Sequence, residues 1–306
     1  MKITNVHNLP APLFDVIASD EYRKSGRFSS SELPSPPQMR VLKLRHDDEI
    51  VKDASDFLWL IQGKSIHKLL EASSGTNAPT GPAALDDLRE KELVYDLGDG
   101  VAVSGTTDLY NGGVVDWKVT SVWSFLLGGL KPEWEAQLNT YAWLWRRHGY
   151  ETRDLAIYAI LRDWQKSKSG AGDNYPPIPF MQIPVPLWPD LQAEGYIRSR
   201  VAVHLAAEEL PDEALPPCSL EDQWAKATSY ALKKRGQVRA VRVFETREAA
   251  DASTTPGTYI EERPGKRTRC EEYCDARPFC HQFLAEHPEL AEPVPDAVGS
   301  QTEAPY

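Results

Sequence analysis

Residues 103–120, VSGTTDLYNGGVVDWKVT, constrain this chain more than any other stretch. Strand formers at Val101, Val103, Val114 and Val115 flank Asn111-Gly112-Gly113, the turn chemistry of a β-hairpin. Yet Asp108 and Asp116 interrupt the strands, and Lys118 follows two residues after the second. Taking even an uncharged polar group out of water without a partner costs roughly 2–7 kcal/mol, and a carboxylate costs more. Side chains alternate with period two along a strand, so Asp116 and Lys118 share one face and Asp108 can oppose them across the hairpin. Two convergent carboxylates suit a divalent cation such as Mg²⁺, which would offset the cost of bringing them together. The ammonium beside them can then orient a water or neutralise developing phosphate charge. The bland alternative is a surface hairpin whose acids and lysine are solvated.

The surrounding pattern places this hairpin in a mixed α/β domain. Residues 54–72 read as a helix, with Gly63 inside it and His67 one turn further on. Residues 73–84, SSGTNAPTGPAA, read as a loop. Strands are expected over 90–95, 100–108 and 114–118, a strong helix over 132–148, strands at 154–161 and 180–187, and a helix over 190–210. This order predicts a mixed central sheet flanked by helices. Residues 1–53 form a proline-interrupted entry segment, 54–214 the core, 215–283 a smaller C-terminal module, and 284–306 an acidic tail of disordered composition.

At 306 residues, 41% hydrophobic and with nine Trp and twelve Tyr, the chain can bury a sizeable core. No apolar run follows the N-terminal lysine and no window approaches a membrane span, so a cytoplasmic location is expected and a membrane partner is not. The net charge of −11 argues mildly against nucleic acid, but the charge is uneven. Eight acids lie between Asp86 and Asp116, whereas residues 226–269 carry eleven basic residues against five acidic ones. An acid-rich centre beside a basic flank suits a metal-dependent enzyme acting on a polyanion. All four cysteines, Cys218, Cys270, Cys274 and Cys280, fall in the last third of the chain. Without a secretory signal they read as a metal site rather than disulfides.

Asp108, seven residues, then Asp116-Trp117-Lys118 resembles the core of the PD-(D/E)XK nuclease superfamily. His67 in GKSIHKLLE resembles the metal-binding histidine helix of its RecB-like branch. Gln137 and Tyr141, at i and i+4 on one helix face, resemble the Gln-x-x-x-Tyr motif of the same branch. Each element is common alone; the ordered set is specific. The resemblance implies a restriction-endonuclease-like core and Mg²⁺ or Mn²⁺ held by His67, Asp108, Asp116 and the Trp117 carbonyl. It implies that Lys118 positions the attacking water, with Gln137 and Tyr141 supporting it and the bound strand.

The C-x3-C-x5-C run with Cys218 upstream resembles the iron–sulfur module of RecB-like nucleases, including phage-encoded and CRISPR-associated exonucleases. The resemblance implies a [4Fe–4S] cluster on Cys218, Cys270, Cys274 and Cys280; a structural Zn²⁺ and free structural thiols are the alternatives. It departs from the family pattern, where the distant cysteine usually precedes the nuclease core. Between the cysteines, residues 229–246 read as basic helix, turn and strand. Lys233, Lys234, Arg235 and Arg239 there could bind phosphates, or form an exposed charged face. The expected function is a metal-dependent deoxyribonuclease, an exonuclease acting on single strands or DNA ends in recombination, repair or phage DNA processing, in a bacterial or phage-infected cell. A recombination or annealing protein is a conceivable partner. The rival reading is a non-catalytic DNA-binding or assembly subunit of a recombination or CRISPR-adaptation complex. Nothing in the sequence excludes RNA as the substrate.

Overall fold

The acid-bearing hairpin sits in the middle of a six-stranded mixed sheet. The computed structural model describes residues 1–19, 27–72, 88–169 and 174–290. These fall into two compact units, one of residues 1–40 and 48–209, the other of residues 41–47 and 210 onward.

The first unit begins with β1 (Lys2–Thr4), α1 (Ala11–Ala18), β2 (Phe28–Ser29) and the start of α2 (Pro37–Arg45). β3 (Val51–Asp53) then pairs in parallel with β1. A 3-10 turn over Ala54–Phe57 leads into α3 (Leu58–Glu71). Asp53 caps it, accepting from Ser55 N while Asp56 accepts from Asp53 N. β4 (Leu88–Asp96), β5 (Ala102–Tyr110), β6 (Val114–Thr120), α4 (Val122–Gly128) and α5 (Pro132–Arg147) follow, then β7 (Leu155–Leu161), β8 (Phe180–Val185) and α6 (Asp190–Glu208). The expected loop at 73–84 and the tail from residue 291 lie outside the described residues.

In the sheet, β5 pairs antiparallel with β4 along most of its length and in parallel with β2 at Val103 and Ser104. β6 runs parallel to β7, and β7 antiparallel to β8. β5 and β6 pair only at Leu109–Val115 and Tyr110–Val114, beside the turn. Beyond it the two strands separate, and this split receives the charged side chains. The entry segment is thus built into the sheet: Phe28 is fully buried in the same core as Val103 and Leu138.

α5 explains how the site keeps its shape. Ten of its sixteen residues are buried, including Trp143, Leu144 and Trp145, the signature of a helix covered nearly all round. It packs on β4, β5, β6 and β7 and against α6. Its polar side chains are tied internally: Trp145 Nε1 donates to Thr107 Oγ1 at 3.1 Å, and Asn139 bridges Pro186 O and Trp188 N. α3 differs, with none of its residues buried although it carries His67.

The second unit holds β9 (Ala225–Lys226), β10 (Ser229–Lys234), β11 (Ala240–Phe244), α7 (Arg247–Asp251), β12 (Thr258–Arg263), β13 (Lys266–Arg267) and α8 (His281–Glu286). Residues 41–47 join it through Lys43–Asp275 at 2.8 Å, Arg45–Asp212 at 2.6 Å and His46 stacked on Phe279 at 4.0 Å. The helix expected at 229–234 is a strand instead. β10 is the middle of a three-stranded sheet, paired with β11 and β12, and Leu232 packs with Phe244 and Ala250. Six residues ahead of a turn at Gly236 (φ +80°) cannot repay the nucleation of a helix, whereas two partner strands satisfy the backbone on both edges.

Candidate functional site

The first unit brings together all seven residues expected at the nuclease core. Asp116 enters from β6 almost fully buried, 2% exposed. Its Oδ2 lies 2.6 Å from Lys118 Nζ, although the pair is not aligned as a hydrogen bond. Burial pushes the Asp116 carboxyl up, Lys118 pulls it down and Asp108 pushes it up again. Asp108, from β5, accepts from Trp117 N at 2.7 Å across the split, standing in for a ladder bond the diverging strands no longer make. In an extended strand a residue's N–H and C=O point to the same edge, so the Trp117 carbonyl is also directed toward Asp108. The Trp117 indole packs edge-on against Tyr158 at 5.0 Å.

Lys118 is positioned from α5. Gln137 Oε1 accepts from Lys118 Nζ at 3.4 Å, and Gln137 Nε2 donates to Tyr141 OH at 2.8 Å. The i, i+4 spacing therefore acts as a relay in which Tyr141 fixes the amide and the amide faces the ammonium. The buried Tyr141 hydroxyl also bonds Ser30 beside β2, and burial raises its pKa well above the usual phenol value. It is a fixed neutral group, not a titrating one. Its ring packs against Gly105: a Cβ there would stand 2.7 Å from Tyr141 Cε1 and 2.9 Å from Ser30 Oγ.

His67 faces the acids from α3, with Nδ1 3.4 Å from Asp108 Oδ1 and 3.7 Å from Glu90 Oε1. Hydrogen bonding to Asp108 and then Glu90 raises its pKa to about 10 against a burial penalty. Glu90 is the candidate ligand that sequence reasoning did not single out. In β4 the register with β5 is constant through Arg89–Leu109 and Lys91–Thr107, which sets Glu90 opposite Asp108, at φ +46°, a rare value for a non-glycine residue. Among the described residues, His67, Glu90 and Asp108 offer three ligand atoms within 4.8 Å of one another, and Asp116 is outside this tighter group. One imidazole and hard carboxylate oxygens are a donor set for Mg²⁺ or Mn²⁺ rather than a soft metal. Once a bound cation displaces the proton of His67, three carboxylates against Lys118 leave a net charge of −2, which a divalent cation balances.

The four cysteines lie together in the second unit. Cys218 N donates to Gln282 Oε1 at 2.8 Å and Cys218 O accepts from Gln282 Nε2 at 3.0 Å, which fastens Cys218 to α8 beside Cys280. Cys270 and Cys274 come from the turn over Arg269–Tyr273 and the residue after it. Burial, and then the other cysteines, push the Cys218 thiol up to about 12 and Cys270 to about 11. Of the basic residues, Lys233 is ion-paired to Glu261 at 2.6 Å and largely covered, whereas Lys234, Arg235 and Arg239 are exposed around the β10–β11 turn.

No protein-family model and no curated protein matches the sequence. Among solved structures the chain is similar to SSO0001, with a TM-score of 0.43 and 15% identity over 65% of this chain and 84% of that one. It is also similar to an alkaline exonuclease (LHK-Exo) from Laribacter hongkongensis, with a TM-score of 0.34 and 12% identity over 65% of this chain and 95% of that one. No helix among the described residues is long and apolar enough to cross a membrane.

Proposed function

We propose that the protein is a metal-dependent deoxyribonuclease with a restriction-endonuclease-like core, hydrolysing phosphodiester bonds in single strands or at DNA ends. One observation carries this reading: Asp108, Asp116 and Lys118 converge in the split between β5 and β6, with His67 and the Gln137–Tyr141 pair closing around them. A buried carboxylate–ammonium arrangement open to a further carboxylate and an imidazole has no evident structural purpose. Asp116, Asp108, His67, Glu90 and the Trp117 carbonyl would hold Mg²⁺ or Mn²⁺. A divalent cation there supplies Lewis-acid polarisation of the phosphate and a more acidic bound water. Lys118 orients the attacking water and offsets charge on the phosphate as it builds. Gln137 limits the rotamers of Lys118, and Tyr141 limits those of Gln137, so the ammonium is positioned before substrate arrives.

The cysteines would hold the [4Fe–4S] cluster. A structural Zn²⁺ on the same four thiolates is the alternative. Binding requires thiolates, and thiols raised to about 11 and 12 tie loading to proton release. The exposed Lys234, Arg235 and Arg239 would contact phosphates.

The test is substitution at the core. Asp116→Asn and Lys118→Ala should each lower cleavage of labelled DNA by about 100-fold or more, the usual effect of removing one preorganised electrostatic group, with the folded circular dichroism spectrum retained. Variants that cut as fast as the parent would remove these residues from the chemistry.

A further inference from the structure

We infer that Trp59 and Trp123 form a stacking track for the bases of single-stranded DNA, leading to the site at Lys118. This rests on the nuclease reading and adds to it the strandedness of the substrate and its path.

Trp59, on the first turn of α3, is 65% exposed, and the Arg162 guanidinium lies over its ring at 4.5 Å. Trp123, on α4, is 43% exposed; Lys168 Nζ lies 5.0 Å above its ring and the Tyr175 ring is tilted beside it at 6.1 Å. Single exposed aromatics are ordinary on a protein surface. Two tryptophans, each capped by a cation and both beside the same strand ends, are not. Arg162 follows β7, and its N–H donates to Thr120 O at 3.0 Å, two residues or about 7 Å of strand from Lys118. The next residue, Asp163, accepts from Ser121 Oγ at 2.6 Å and Val122 N at 2.7 Å. That fixes the start of α4, and with it Trp123, to the same edge. Trp59 and His67 stand on one helix, eight residues or about 12 Å of rise apart. The two rings therefore lie within a few nucleotides of the acids.

The chemistry matches an unpaired strand. Every base has a π-face, and stacking on an aromatic ring tolerates any sequence; a duplex keeps those faces occupied. Arg162 and Lys168 make no ion pair among the described residues. Asp163, the carboxylate nearest Arg162 in sequence, has both oxygens engaged by Ser121 and Val122. Both cations remain able to meet phosphates while their stems cover the indoles.

The test uses fluorescein-labelled oligo-dT and a blunt duplex of the same length, with anisotropy read in an Asp116→Asn background so that the strand is not consumed. Trp59→Leu and Trp123→Leu should each weaken single-strand binding by about 5- to 150-fold, the range measured for losing one stacked base. Duplex affinity and Mn²⁺ binding should hold, and Trp59→Phe should retain part of the affinity. Arg162→Gln should lower the slope of log K against log salt by about 0.7. Leucine variants that bind oligo-dT like the parent, or that lose duplex binding equally, overturn the track; if the parent still cleaves DNA, the nuclease reading stands without it. A parent that neither binds nor cuts either DNA overturns both.

Discussion

Gly105→Ala isolates the support beneath Lys118, because the residue touches no substrate and no metal ligand. The added methyl would lie 2.7 Å and 2.8 Å from two Tyr141 ring carbons and 2.9 Å from Ser30 Oγ. Tyr141 is 5% exposed and its hydroxyl is held by Gln137 and Ser30, so the ring has nowhere to swing. Overpacking of this kind costs about 1–3 kcal/mol. Replacing a strand glycine with alanine returns about 0.5–1 kcal/mol. The close contacts place the net loss at about 1–2.5 kcal/mol, or roughly 2–10 °C in Tm for a unit of this size. Displacing Tyr141 also frees Gln137 and then Lys118, and an ångström of misplacement can cost a hundred-fold in rate. Calorimetry should show the loss of stability and single-turnover cleavage the loss of rate, while Mn²⁺ affinity holds. In a Tyr141→Ala background the same methyl should cost much less, since two of its three closest contacts are with the ring. Equal destabilisation in both backgrounds would refute the reasoning.

With divalent cations chelated, the His67 contact should contribute stability fully below pH 6.5, its ordinary value, and lose it as pH rises toward about 10, because the fold holds the proton more tightly than the unfolded chain does. Urea midpoints at pH 6 and pH 9.5 should therefore fall further for the parent than for His67→Gln; equal falls would contradict this. Changing Lys234, Arg235 and Arg239 together to Ala should lower the single-strand salt slope by about 2, three contacts at about 0.7 each. Lys233→Ala should leave that slope nearly unchanged, because Glu261 already holds its ammonium. Anaerobically purified protein should be brown with about four irons per chain. Serine at Cys218, Cys270, Cys274 or Cys280 should bleach it, whereas one zinc and no iron would replace the cluster.

The core was legible where charge conflicted with strand pattern. Asp108, Asp116 and Lys118 stand out because carboxylates are costly in a buried hairpin, and Gln137 with Tyr141 because helical spacing places i and i+4 together. Glu90 was visible only as one acid among eight. It faces Asp108 because β4 pairs with β5 in the register of Arg89–Leu109 and Lys91–Thr107, a long-range match that no local propensity signals. The two-residue β2 was hidden for a related reason: Phe28 and Ser29 become a strand only because β5 diverges from β6 and leaves an edge to pair. Residues 229–234, SYALKK, carry helix formers in Ala, Leu and Lys, and only pairing with both β11 and β12 makes them a strand. Cys270, Cys274 and Cys280 announced themselves by spacing, whereas the place of Cys218 depends on Gln282, a long-range contact with no local signature.

The most direct measurement incubates the purified protein with end-labelled single-stranded DNA and follows product release with Mn²⁺, with Mg²⁺ and with chelator, beside Asp116→Asn. The account predicts cleavage that requires a divalent ion and disappears in the variant. Protein that binds Mn²⁺ and DNA yet cuts neither DNA nor RNA with either ion would contradict it.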